Sequence, residues 1–181
     1  MYRFMRQAGF DNYESLYDWS VQEAPKFWEA LAGFCDIVFD KSARRTLANS
    51  DDIIAARWFD GSQLNFAANL LRYDDDDAAI IFVGEDGTRR ELSHADLRAE
   101  VAAIAAGLKA AGVEVGDRVA GFLPNCPEAV VAMLAATSIG AIWSSCSPDF
   151  GVNGVVDRFG QIKPKVLFAT NGYHYNGKVC D

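Results

Sequence analysis

From Arg118 to Lys178 the sequence alternates strand-like and helix-like runs, and this alternation admits few folds. Arg118–Leu123 reads as a strand. Asn125-x-x-Glu128, with Pro127 in the first turn, opens a helix that is apolar nearly all round (Ala129, Val130, Val131, Met133, Leu134, Ile139), which predicts burial on every side. Gly140 stops it, and a second strand, Ala141–Ser145, leads into the polar loop Cys146–Gly151. A helix near Asn153–Gln161, then Pro164, then a short apolar strand Val166–Ala169 complete the pattern, which opens into a Gly/Asn/Tyr loop ending in Lys178. Strands joined by helices form a mostly parallel, right-handed α/β sheet. Ligands of such sheets sit at the C-terminal ends of the strands, where both polar loops fall.

The chain before this region reads differently. Asn12 caps a first helix through roughly Trp19, and Pro25 sits in the first turn of a second one, whose Phe27, Trp28, Leu31, Phe34 and Cys35 share a face. Ile37–Phe39 is a short β-prone run, Ile53–Phe59 fits strand or helix, Asp60-Gly61-Ser62 is a turn, and Leu64–Arg72 is a compact helix. Four aspartates, Asp74–Asp77, repel one another and predict a solvated boundary rather than a metal site. The expected division is therefore a helical N-terminal region, 1–77, followed by an incomplete α/β sheet domain, 78–181. That second part opens with a hairpin (Ala79–Val83, turn Gly84–Gly87, Thr88–Leu92). Ser93-x-x-Asp96 then resembles a capping box, and its helix carries Leu97, Val101, Ile104, Ala105, Leu108 and Ala111 on one face up to Gly112.

Charge is uneven. The 181 residues carry a net −8, yet from Gly151 onward four cations (Arg158, Lys163, Lys165, Lys178) face two aspartates, leaving the first 150 residues at −10. An acidic protein of this kind repels nucleic acid and anionic membrane, while its basic C-terminal third suits a phosphate-bearing small molecule or simply aids solubility. Cys35, Cys126, Cys146 and Cys180 form no CxxC, and with only His94 and His174 beside them no Cys/His metal site is expected. Reduced thiols, no leader-like segment after Arg3 and Arg6, and no apolar run near the ~20 residues a membrane helix needs point to a cytoplasmic protein.

Catalytic motifs are sparse. Gly172–Lys178 approaches the phosphate loop GxxxxGK[ST], but Val179 replaces the hydroxyl and Tyr173-His174-Tyr175 is too bulky to wrap a phosphate. Gly151, Gly154 and Gly160 do not have dinucleotide-fingerprint spacing. Ser144, Ser145 and Ser147 lie outside any GxSxG, His94 reads as a first-turn surface residue, Asp149 reads as a helix cap, and Cys146 reads as a packed thiol. No catalytic or metal-binding residue is assigned. The residues alone lead to an α/β ligand-binding scaffold.

A resemblance extends this. Ser145–Lys178 (SCSPDFGVNGVVDRFGQIKPKVLFATNGYHYNGK) resembles the acetoacetyl-CoA synthetase (acetoacetate–CoA ligase) family, within the adenylate-forming acyl-CoA synthetases. Trp58-Phe59 with Leu64–Arg72 resembles the N-terminal signature of acetyl- and acetoacetyl-CoA synthetases, and Ala79–Phe82, Arg118–Ala120, Pro124-Asn125 and Pro127–Ala135 resemble the start of their AMP-binding domain. The resemblance implies an N-terminal portion of a ligase that uses acetoacetate, ATP, Mg²⁺ and CoA, forming an acyl-adenylate and then a thioester. No stretch here resembles that family's Thr/Ser/Gly-rich phosphate loop, adenine-binding strand, metal-binding glutamate or catalytic lysine, so the isolated chain is expected to be inactive and to hold none of these molecules tightly. The resemblance places CoA contacts at Asp149, Phe150 and Gly151, and at Tyr175, Asn176, Gly177 and Lys178. A parallel sheet cut short predicts self-association through its open edge. Two other readings stay open. One is a stand-alone CoA- or nucleotide-binding module. The other is a non-catalytic interaction protein using Tyr13, Tyr17, Trp19, Phe27 and Trp28.

Overall fold

The computed structural model describes residues 1–180, and the chain divides into two compact units, Met1–Asn65 and Phe66 onward. In the first unit, α1 (Tyr2–Gln7), α2 (Tyr13–Gln22) and α3 (Ala24–Phe34) gather Phe4, Met5 and Leu16 into a small core against Phe10, Trp19, Phe27, Leu31 and Phe34. Asn12 does cap α2, its side-chain oxygen accepting the Ser15 N–H at 2.9 Å. The aromatic stripe is split by this packing. Phe27 meets Phe4 and Trp19 edge-on, whereas Tyr13 and Tyr17 stack on each other at the surface and Trp28 lies against Trp58.

Ile37–Phe39 forms no strand; pairing goes instead to β1 (Arg45–Ala48) and β2 (Arg57–Asp60), which run antiparallel. In the ambiguous run 53–59 only its end is strand, and Ile53 and Ile54 project into solvent from a turn. The expected helix over Leu64–Arg72 shortens to α4 (Phe66–Leu70), with Ala67 alone fully buried.

The second unit begins with the expected hairpin, β3 (Ala78–Val83) and β4 (Arg89–Ser93). Ser93 and Asp96 close a full capping box at the start of α5 (His94–Ala110), each side chain satisfying the other's backbone N–H. The aspartate run is exposed but not free. Asp75 meets His94 Nδ1 at 2.5 Å, the Asp77 carbonyl accepts the His94 N–H, and the Asp75 carbonyl accepts that of Ala95. That fastening holds the run over the N-terminus of α5.

The parallel sheet follows as the alternation predicts: β5 (Arg118–Phe122), α6 (Pro127–Ser138), β6 (Ile142–Cys146), α7 (Val152–Ile162) and β7 (Val166–Ala169), in the order β6-β5-β7. Side chains alternate across β5, so Val119 and Ala120 face opposite layers. On the Val119 side α5 and α6 bury Leu97, Val101, Leu108, Val131, Leu134 and Ala135, with Trp143 and Phe168 against them. On the Ala120 side α7 brings Phe159 onto Ala120 and Cys146. The two crossover helices therefore lie on opposite faces.

Lys165 corrects one expectation about the basic C-terminal third. Its ammonium contacts the Gly112 carbonyl and sits 2.9 Å from Asp117, whose carboxyl this contact holds below the usual range. Both partners lie ahead of β5 and Lys165 lies ahead of β7, so this cation braces the end of the sheet opposite the loops that follow its strands. The segment after β7 is also not a loop. It is an antiparallel hairpin, β8 (Tyr173–Tyr175) and β9 (Lys178–Cys180).

Candidate nucleotide and coenzyme cleft

Because α6 and α7 lie on opposite faces, the loop leaving β5 and the loop leaving its neighbour β6 diverge. Such a divergence opens a crevice at the carboxyl ends of the two strands. A cleft of about 530 Å³ lies there. Pro124, Asn125 and Cys126 line it from the first loop, and Ser147 and Pro148 from the second. Gly172–Tyr175 and the β3–β4 turn, together with Arg90 on β4, close the other sides.

Of the seven residues that the resemblance places on CoA, Tyr175 lines this cleft. Asp149, Phe150 and Gly151 directly follow the lining residues Ser147 and Pro148. Gly151, not Asp149, is the N-cap of α7, and no side chain caps that helix. The Arg158 guanidinium lies over the Phe150 ring at 4.1 Å, fixing the loop against the helix and adding positive charge beside it. Partial desolvation pushes the Tyr173 phenol up, and the nearby Asp149 carboxylate adds to it.

Asn176 and Gly177 form the two-residue tip of the β8–β9 hairpin, flanked by the facing pair Tyr175 and Lys178. Both have positive φ, 50° and 72°, the signature of a type I′ turn, for which Asn-Gly is the favoured dipeptide. The turn accounts for much of the near match to a phosphate loop: Asn176 and Gly177 are the pair a tight hairpin needs, and the bulky Tyr-His-Tyr is a strand.

Several cleft residues escape the sequence reading. Arg90 binds Glu128 at 2.5 Å; burial pushes the Glu128 carboxyl up, but the arginine together with hydrogen bonds from its own backbone N–H and from Cys126 leaves it below the usual range. In the β3–β4 turn, Asp86 accepts both the N–H and the hydroxyl of Thr88, which hold its carboxyl low. Burial pushes both the Cys126 and Cys146 thiols up, which marks them as packed groups rather than nucleophiles. All four cysteines are free. Among the described residues, no three His, Cys, Asp or Glu side chains gather as a metal ion requires, and no helix is long and apolar enough to cross a membrane.

A parallel sheet with a cleft at the divergence of two crossovers places the chain in the α/β class, whose ligands sit at that position of the sheet. The chain belongs to the AMP-binding enzyme family, which matches residues 66–180; the N-terminus of acetyl-coenzyme A synthetase matches residues 13–70. It is 47% identical over 172 residues to the acetoacetyl-coenzyme A synthetase of Rhizobium meliloti, covering 95% of this chain and 26% of that protein. It is 48% identical over 171 residues to the acetoacetyl-CoA synthetase of Macaca fascicularis, covering 93% and 25%. Among solved structures, the acetoacetyl-CoA synthetase from Streptomyces lividans superposes with a TM-score of 0.90 at 41% identity, over 99% of this chain and 29% of that one. The chain thus spans about a quarter of the length of the curated relatives it matches.

Proposed function

We propose that this chain forms the CoA-facing part of a cytoplasmic, ATP-dependent acetoacetate–CoA ligase. The observation that carries the reading is the cleft where the β5 and β6 loops diverge, in a chain nearly half identical to acetoacetyl-CoA synthetases. In the reaction, a carboxylate oxygen of acetoacetate attacks the α-phosphorus of ATP and expels pyrophosphate. The CoA thiol then loses its proton, its sulfur attacks the acyl carbon, and AMP leaves. Both steps depend on neutralising phosphate charge and on placing the nucleophile in line.

In this reading the chain's own part is binding. Lys178 supplies the charge that a CoA phosphate needs, and the hairpin pairing holds it beside Tyr175 at the cleft edge. Phe150, held by Arg158, walls the neighbouring loop. The described residues do not fit a resident Mg²⁺, since they gather no such ligand set, and no step is assigned through one here. The net charge of −8 supports small molecules over nucleic acid or anionic membrane as partners.

The adenylating step is assigned outside these residues. The folded 181-residue chain, supplied with acetoacetate, ATP, Mg²⁺ and CoA, is expected to release no pyrophosphate above a protein-free blank. Acetoacetate-dependent release would overturn that assignment.

A further inference from the structure

The β8–β9 hairpin is fastened to the β3–β4 turn by Glu85, with Asp86 close by. The Glu85 carboxylate accepts the Gly177 N–H at 3.2 Å, joining positions 92 residues apart, and the Asp86 carboxylate lies 3.9 Å from His174 Nδ1. Gly177 stands at the tip of the turn, where its N–H is an outward donor next to the cation Lys178. A backbone N–H beside a lysine is a ready anion contact, because a carboxylate and a phosphate oxygen are equivalent acceptors there. In this structure the acceptor is the protein's own.

The geometry points to Glu85 as an internal anion that occupies the hairpin tip and is displaced when a phosphate-bearing ligand binds, so that Glu85 sets the affinity of the cleft for that ligand. This rests on the reading of Tyr175–Lys178 as a CoA contact and deepens it. The side chain does two things at once. It orders the tip in the empty protein, and its charge opposes an incoming phosphate. Gln at this position keeps the size and an acceptor oxygen while removing the charge.

The test is a calorimetric titration of the full chain and of Glu85→Gln, Glu85→Ala and Lys178→Ala with CoA and, separately, with pantetheine, which has the same arm but no phosphate. At low salt E85Q is expected to bind CoA about threefold more tightly, the size of one exposed charge contact, and pantetheine equally. Hydrogen exchange of the Gly177 amide in the ligand-free protein is expected to quicken in E85A, an independent readout of the fastening. If E85Q gains nothing while K178A weakens CoA binding, Glu85 is not the displaced anion but the site stands. An equal gain for pantetheine also overturns the proposal, since the effect would then come from hairpin shape. CoA binding that is undetectable, or indifferent to both positions, removes the site and the proposal together.

Discussion

Replacing Leu134 by alanine lowers stability by about 2–5 kcal/mol, the largest loss expected from one side chain here. Leu134 is 2% exposed and lies on α6, whose Val131, Ala132, Ala135 and Ala136 are buried as well. That helix packs between α5 and the sheet, with Trp143 and Phe168 behind it, so the cavity left by the missing isobutyl group has walls on all sides and little freedom to collapse. The readout is urea denaturation. The midpoint should fall with the slope unchanged, since the same surface is exposed on unfolding. Val156→Ala, on the 64% exposed Val156 of α7, serves as the control and should shift stability by no more than about 0.5 kcal/mol. Equal losses at both positions would mean that α6 is not the buried element described.

Gly121→Ala is the second large effect, expected to cost about 1–3 kcal/mol. A Cβ on Gly121 would lie 2.5 and 2.6 Å from two ring carbons of Trp143 on the paired strand. β5 is the central strand, and the indole lies flat across it because position 121 has no side chain. Trp143 is also held by Phe168, at a centroid distance of 6.2 Å, so the ring cannot swing away without disturbing the same layer. The strain belongs to the pair, which a double-mutant cycle isolates. In a Trp143→Phe background, G121A should cost clearly less than in the parent chain. An undiminished cost would place the strain in the strand backbone.

The sequence reading succeeds where the signal is local. The Ser93–Asp96 box, Pro127 in the first turn of α6, and the short apolar run Val166–Ala169 each act on neighbours within a turn or two, and each element appears as expected. It is weaker where pairing partners are distant. Ile37–Phe39 has as much strand character as Arg45–Ala48, yet the latter pairs with β2, and nothing local separates them. The Asn176-Gly177 hairpin is legible in principle, since Asn-Gly between β-prone residues signals a two-residue turn, and the GxxxxGK pattern over the same residues lacks the hydroxyl and the small residues of a phosphate loop. The two loops following the strands were legible because parallel α/β topology dictates where ligands sit. Glu85, Asp86 and Arg90 were not, because they reach the cleft from a hairpin far away in the chain. Counting cations was likewise a poor guide to the site: Lys165 is engaged at the opposite end of the sheet, and Arg158 works through the Phe150 ring.

The hairpin edge of the cleft, with Lys178 beside Tyr175, is the coenzyme contact on which the proposed function depends. Its most direct test is the heat of CoA binding to the folded chain, compared between the parent and Lys178→Ala. Loss of one charge-assisted phosphate contact predicts saturable binding that weakens about tenfold in the variant, with stability unchanged because Lys178 is exposed. Equal affinity in the two proteins, or no saturable binding in the parent, would contradict the account.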